Sequence, residues 1–123
     1  NGGKNACPAG WHVPSDAEWT ILTDLLGGLS AGGGKLKEAG TTNWNPPNTG
    51  ATNETGFTAL PGGYREISGQ FAAMGNLGRW WSTDEHPGYN SSSFFRGMSY
   101  NSASVLRNYL VKKHGFSVRC LKD

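Results

Sequence analysis

The chain has 123 residues, 19 of them glycine, and a formal net charge of +2 at pH 7. This length suits one domain that buries roughly two-thirds of its unfolded surface in a modest core. The near-neutral charge, with no like-charge run longer than Lys112-Lys113, argues against a nucleic-acid partner; no apolar stretch approaches the ~20 residues of a membrane-spanning helix, and five Trp, four Tyr and five Phe argue against disorder.

Beginning at Asn1 rather than Met, residues 1–123 read as a single domain excised from a longer surface protein, its C-terminal one, with any signal peptide or lipid anchor outside it. Cys7 and Cys120 stand almost at opposite ends. If bonded, they close a loop worth ~4–5 kcal/mol in chain entropy, join the termini and imply an oxidising compartment. The alternative is two reduced, buried thiols in a cytosolic protein. Strand-like flanks at both cysteines, and the lack of a zinc ligand set, favour the bond.

After Pro14, Ser15-Asp16-Ala17-Glu18 forms a capping box. Trp19, Leu22, Leu25 and Leu26 then recur at helical spacing until Gly27-Gly28 ends the helix. Gly32-Gly33-Gly34 reads as a break, with a second, shorter helix over Lys35–Ala39. Residues 40–56, rich in Asn, Thr, Pro and Gly, have no periodicity and read as a long surface loop. From Phe57 onward the pattern is short strands between turn residues: Phe57–Leu60, Gly63–Ile67, Gln70–Met74, Arg79–Ser82, Phe94–Asn101, Ser104–Asn108 and Gly115–Leu121. Helix first and strands last describes an α+β domain.

The segment SASVLRNYLVKKHGFSVRC (102–120) changes character halfway. Gly115–Cys120 alternates like a strand with one dry face, whereas Leu106, Tyr109, Leu110 and Val111 fall where an inert surface would be polar. On Phe94–Asn101 one face carries Phe94, Arg96, Met98 and Tyr100, the other Phe95, Gly97, Ser99 and Asn101. On Ser104–Asn108, Val105 and Arg107 oppose Ser104, Leu106 and Asn108.

Four motifs in this order, CPAGWHVPSDAEW (7–19), GFTALPGGYR (56–65), WWSTDE (80–85) and GFSVRCLKD (115–123), together resemble the Fibrobacter succinogenes major paralogous domain over essentially the whole chain. That family is similar to C-type lectin-like folds and to the formylglycine-generating group, and occurs in extracellular proteins of Bacteroidetes and relatives. The resemblance implies a C-type-lectin-like domain with one or two N-terminal helices, a small twisted, mostly antiparallel sheet and adjacent termini. Domains of this type also resemble variable proteins of diversity-generating retroelements, in which copying errors at adenines rewrite Asn codons near the 3′ end. Ser, Gly, Tyr, Phe, Leu, Val, His and Arg are reachable from an Asn codon; Lys, Trp, Met, Glu and Gln are not. The face carrying Phe95, Gly97 and Ser99 and that carrying Ser104, Leu106 and Asn108 contain only reachable residues, as do Tyr109, Leu110, Val111 and His114. Met98, unreachable, reads as core, with Val105, Phe116 and Val118.

These ten reachable residues are the expected ligand-binding surface, directed at a protein or glycan on another cell or host surface; the alternative is an ordinary sheet whose outer face is small and polar. Tyr, Ser, Gly and Asn are also what antibody paratopes use. No catalytic residue, cofactor or metal is expected. His12 reads as structural and His86 as part of an exposed turn, and neither they nor His114 stand at metal-ligand spacing. Asp84 and Glu85, adjacent on a strand, point to opposite faces and read as loop caps or partners of Arg. The Glu-Pro-Asn and Trp-Asn-Asp motifs of calcium-dependent lectins are missing, and the cysteines occupy scaffold positions rather than those of oxygen chemistry. Asn53-Glu54-Thr55 and Asn90-Ser91-Ser92 match the glycosylation sequon. The reading is therefore an extracellular or cell-surface adhesin-type module, carried on a lipoprotein or pilus, against an enzyme or a purely structural module.

Overall fold

Helix α1 (Asp16–Leu25) starts at the expected capping box: the Glu18 N–H donates to Ser15 Oγ at 3.1 Å and the Ser15 N–H to the Glu18 carboxylate at 2.8 Å. This is seen in a computed structural model that describes residues 5–123. The helix buries Trp19 and Thr23, with Leu22 and Leu26 packed at the margin of the core. Leu25, expected on the inner stripe, is 78% exposed. Thr23 lies one full turn beyond Trp19, whereas Leu25 has rotated to the far side.

Helix α2 (Leu29–Leu36) runs through Gly32-Gly33-Gly34 and ends at Leu36, replacing the break and the Lys35–Ala39 helix that the sequence suggests. The glycines serve close approach. A Cβ on Gly33 would lie 2.4 Å from the Ser104 carbonyl oxygen, and one on Gly34 2.3 Å from that of Gly50. Tertiary packing thus outweighs the ~1 kcal/mol of helix propensity that each glycine loses against alanine.

Strand β1 (Trp11–His12) pairs antiparallel with β7 (Leu121–Lys122). Beside this pair Cys7 and Cys120 are disulfide-bonded, with Cα atoms 5.7 Å apart, so the expected bond between the two ends of the chain is present. Strands β2 (Tyr64–Arg65) and β3 (Phe71–Ala72) form a small antiparallel pair. The main sheet is antiparallel in the order β4 (Leu77–His86), β5 (Tyr89–Ser99), β6 (Leu106–Val111). Two helices with antiparallel sheets make the α+β class.

Several expected strands shrink. Phe57–Leu60 contributes only a bridge from Ala59 to Lys37. Gly63–Ile67 and Gln70–Met74 reduce to β2 and β3. Gly115–Leu121 forms no continuous ladder: Gly115 bridges Arg65 and Ser117 bridges Trp80, so the segment is threaded between two sheets. No helix among the described residues is long and apolar enough to cross a membrane.

One face of the main sheet packs on the helices. Trp80 and Met98 meet Trp19, Leu36, Trp44, Ala59 and Val105 in a single apolar cluster, so Met98 and Val105 are core as expected. Asp16, the first residue of α1, fastens helix to sheet. Arg96 Nη1 donates to its carboxylate at 2.7 Å and Arg107 Nη2 at 2.6 Å. Arg96 Nη2 also donates to the Asp16 carbonyl and to Thr20 Oγ1, each at 3.1 Å, and its side chain is fully buried. Between Trp81 and Glu85 the β4–β5 register shifts, and the Asp84 carboxylate accepts the Asp16 N–H. Asp84 therefore caps a helix, while Glu85 pairs with Lys112 rather than an Arg.

Burial works to raise the Asp16 carboxyl, but the hydrogen bonds from Arg107 and Arg96 overcome it and hold the pKa below the ordinary aspartate value. The stability from this cluster is present above the unfolded value of ~3.9 and lost as pH falls through the lower folded value. Urea melts at acid pH should show that loss, and Asp16→Asn should remove its share of the slope. Asp16→Ala should cost about 3–5 kcal/mol at neutral pH, because Arg96 is left buried without a counter-charge. Reducing the disulfide should lower the unfolding free energy by ~4–5 kcal/mol in melts run with and without reductant.

Candidate functional site

Cross-strand register decides what the outer face of the main sheet presents. Leu77 lies opposite Ser99, Arg79 opposite Gly97 and Trp81 opposite Phe95. Across β5 and β6, Gly97 faces Leu106, Phe95 faces Asn108 and Ser93 faces Leu110. Phe95, Gly97, Ser99, Leu106, Asn108 and Leu110 therefore share one face, turned away from α1. Ser104 stands in the β5–β6 connection at its rim.

Half of this face is covered. Phe116 stacks on Trp81 with ring centroids 4.1 Å apart and meets Phe95 edge-on at 5.0 Å. Phe95 is consequently only 3% exposed: it anchors the covering segment and is not a surface residue. Phe116, expected beneath the sheet, is half-buried on its outer side, and Val118 is exposed. Both differences follow from residues 115–118 running along the outer edge of β4 instead of entering the core.

The other half is open. A groove of ≈ 310 Å³ is lined by Leu77, Arg79, Gly97, Met98, Ser99, Ser102, Ser104, Val105 and Leu106. Leu106 is 49% exposed at its edge. At Gly97 an added Cβ would meet nothing nearer than 3.5 Å, so the backbone tolerates a side chain there and its absence keeps the groove floor open.

Tyr109 and Val111 do not join this surface. Strand β6 continues to Val111, so alternation turns both to the opposite face. Tyr109 packs there with His86 at 3.9 Å, Tyr89 at 5.9 Å and Phe94 at 6.1 Å. His86, expected in an exposed turn, is the half-buried last residue of β4. His114 lies beyond β6, its N–H donating to the Val111 carbonyl at 3.1 Å.

The wall of the groove is the β5–β6 connection, held from behind by α2. Gly34 N–H donates to the Ala103 carbonyl at 2.9 Å and Val105 N–H to the Leu29 carbonyl at 2.7 Å. Lys37, wholly buried, donates from Nζ to the carbonyls of Thr49 at 3.0 Å, Ser99 at 2.9 Å and Ser102 at 2.8 Å. Burial pushes its pKa down to about 8, which leaves it charged at neutral pH. Sequence reasoning missed Leu77, Arg79, Ser102 and Lys37 as parts of this region. Arg79 lay in an expected strand, but nothing local specifies its cross-strand partner. Lys37, in a polar run, carries no sequence sign of burial.

The remaining polar candidates have structural partners. The ring nitrogens of His12 lie 2.6 Å from Asp123 Oδ1 and 3.0 Å from Glu18 Oε1, and these hydrogen bonds raise its pKa, Asp123 contributing most. Asn53 bonds Thr58 through its side-chain amide and carbonyl. Among the described residues no group of His, Cys, Asp and Glu is placed to hold a metal ion.

The family model described as the Fibrobacter succinogenes major domain matches residues 1–122. No curated protein and no solved structure matches the chain.

Lys37→Met keeps the stem in the core but takes the ammonium from three carbonyl oxygens, of which that of Ser99 keeps the Ser102 N–H at 3.4 Å. It should cost about 3 kcal/mol, and amide exchange should quicken across residues 99–104 while α1 keeps its protection.

Proposed function

This chain belongs to the Fibrobacter succinogenes major domain family, and we propose that it is an extracellular or cell-surface ligand-binding domain that uses the open half of the β4–β5–β6 face. The observation that carries this reading is the groove: an exposed Leu106 and the small residues Gly97, Ser99 and Ser104 around an apolar floor, on a backbone held rigidly from behind. Exposed apolar side chains gathered at a concavity belong to binding surfaces more than to inert ones. The disulfide fits an oxidising, non-cytoplasmic compartment. Both cysteines are bonded, which leaves no thiol for the oxygen chemistry of the formylglycine-generating group and favours binding over catalysis.

The finer reading is a C-type-lectin-like display domain whose tract 94–114 is diversified. The groove residues Gly97, Ser99, Ser104 and Leu106 are all reachable from Asn codons, and the unreachable Met98 belongs to the core cluster. A near-identical copy of the tract beside a reverse-transcriptase gene, differing only at adenines, is the expected genomic finding. A locus without such a copy would end the diversification reading and leave the binding reading standing.

Binding itself is tested on peptide and glycan arrays with the wild type, Leu106→Ser and Met98→Ser. Leu106→Ser should shift stability by no more than ~0.5 kcal/mol, yet lose about 2 kcal/mol of affinity for whatever the wild type retains. Met98→Ser should instead unfold or strongly destabilise the domain. Unchanged binding by Leu106→Ser would refute the groove as the contact surface.

A further inference from the structure

One charge in the groove stands without a counter-charge. The Arg79 guanidinium lies 4.3 Å over the Tyr64 ring, 5.4 Å from that of Phe116 and 5.5 Å from that of Phe95. Among the described residues it makes no ion pair and no side-chain hydrogen bond, whereas Arg96 and Arg107 share Asp16 and Lys112 holds Glu85. Aromatic rings engage the flat face of a guanidinium and leave its in-plane N–H donors free. A planar fork so held is preorganised for two parallel bonds to a carboxylate.

The rest of the lining says what accompanies that carboxylate. Leu77, Val105 and Leu106 make an aliphatic wall, and the hydroxyl-bearing residues Ser99, Ser102 and Ser104 stand beside it. A neutral ligand filling this space would strip water from Arg79 and return no counter-charge for it. A sugar would find no aromatic ring lining the groove to stack on.

We propose that the groove binds an acidic peptide, seating an aliphatic side chain on Leu77, Val105 and Leu106 and an adjacent Asp or Glu carboxylate on Arg79. This rests on the reading of the domain as a binding module and names the ligand class of its groove. The carboxylate supplies the missing counter-charge, and the peptide's own N–H and C=O groups meet the serines. Binding is therefore weakened by salt, as a charge-assisted contact at a half-open site is.

The test is an NMR titration of the ¹⁵N-labelled domain with acetyl-Leu-Asp-Leu-amide, acetyl-Leu-Asn-Leu-amide and glucuronic acid. The aspartyl peptide should shift the amides of Gly97, Ser99 and Leu106, and the asparaginyl peptide should bind at least about tenfold more weakly. Arg79→Gln should bring the aspartyl peptide down to the asparaginyl level. Arg79→Lys, which keeps the charge without the fork, should fall between, and it serves where Arg79→Gln loosens the ring cluster. Gly97→Val, tolerated by the backbone, should block the groove and abolish the shifts. Equal binding of the two peptides, blocked by Gly97→Val, overturns the acidic ligand while leaving a binding groove. Glucuronic acid binding alone assigns the site to an acidic sugar and overturns the peptide, as does the absence of any shift.

Discussion

Among the described residues the Lys37 ammonium has no carboxylate partner; three backbone carbonyls surround it, and the indole of Trp44 lies 5.3 Å away. Carbonyl dipoles compensate a buried charge only when several converge, so Thr49, Ser99 and Ser102 must stay where the ammonium requires them. These residues belong to the long loop and to the end of β5 with its following connection. One side chain at the end of α2 thereby ties the long loop and the β5–β6 connection to the last ladder position of β5. The bare surface of Gly33 and Gly34 completes the arrangement, because only without Cβ atoms can those stretches reach the helix.

The second fastening is ionic. Asp16 links the start of α1 to β5 through Arg96 and to β6 through Arg107, and Asp84 brings β4 to the same point. A buried cluster of this kind adds less net stability than its short distances suggest, since desolvation offsets much of the attraction. Its geometric consequence is that the start of α1 is tied to β4, β5 and β6 on one face of the sheet. The opposite face is then left for other use.

That opposite face is divided by Phe116, which closes the β4 side with Trp81 and Phe95 and at the same time supplies a ring to the Arg79 cluster. Cover and groove are thus parts of one arrangement. The free edge of the sheet is blunted as well, since Asn108 Oδ1 takes the Tyr109 N–H at 2.8 Å and the Val111 carbonyl takes the His114 N–H. An edge with these groups satisfied is a poor template for strand addition.

Local chemistry was enough to place α1, because Ser15 and Glu18 satisfy each other's backbone groups within a few residues. It was also enough to set the two-residue alternation of β5 and to bring Gly97 and Leu106 to one face, since a strand's period does not depend on its neighbours. Cys7 and Cys120 could be matched because no other cysteine competes. Where α2 runs, how far β6 extends and what lies over Phe95 were decided only by tertiary contacts. The glycines of α2 read as a break until the Ser104 and Gly50 carbonyls arrive against them. Tyr109 and Val111 change faces because β6 continues beyond Asn108 along β5. Arg79 and Lys37 acquire their settings from Tyr64, Phe116 and three distant carbonyls, and nothing adjacent to either residue in the chain encodes those neighbours.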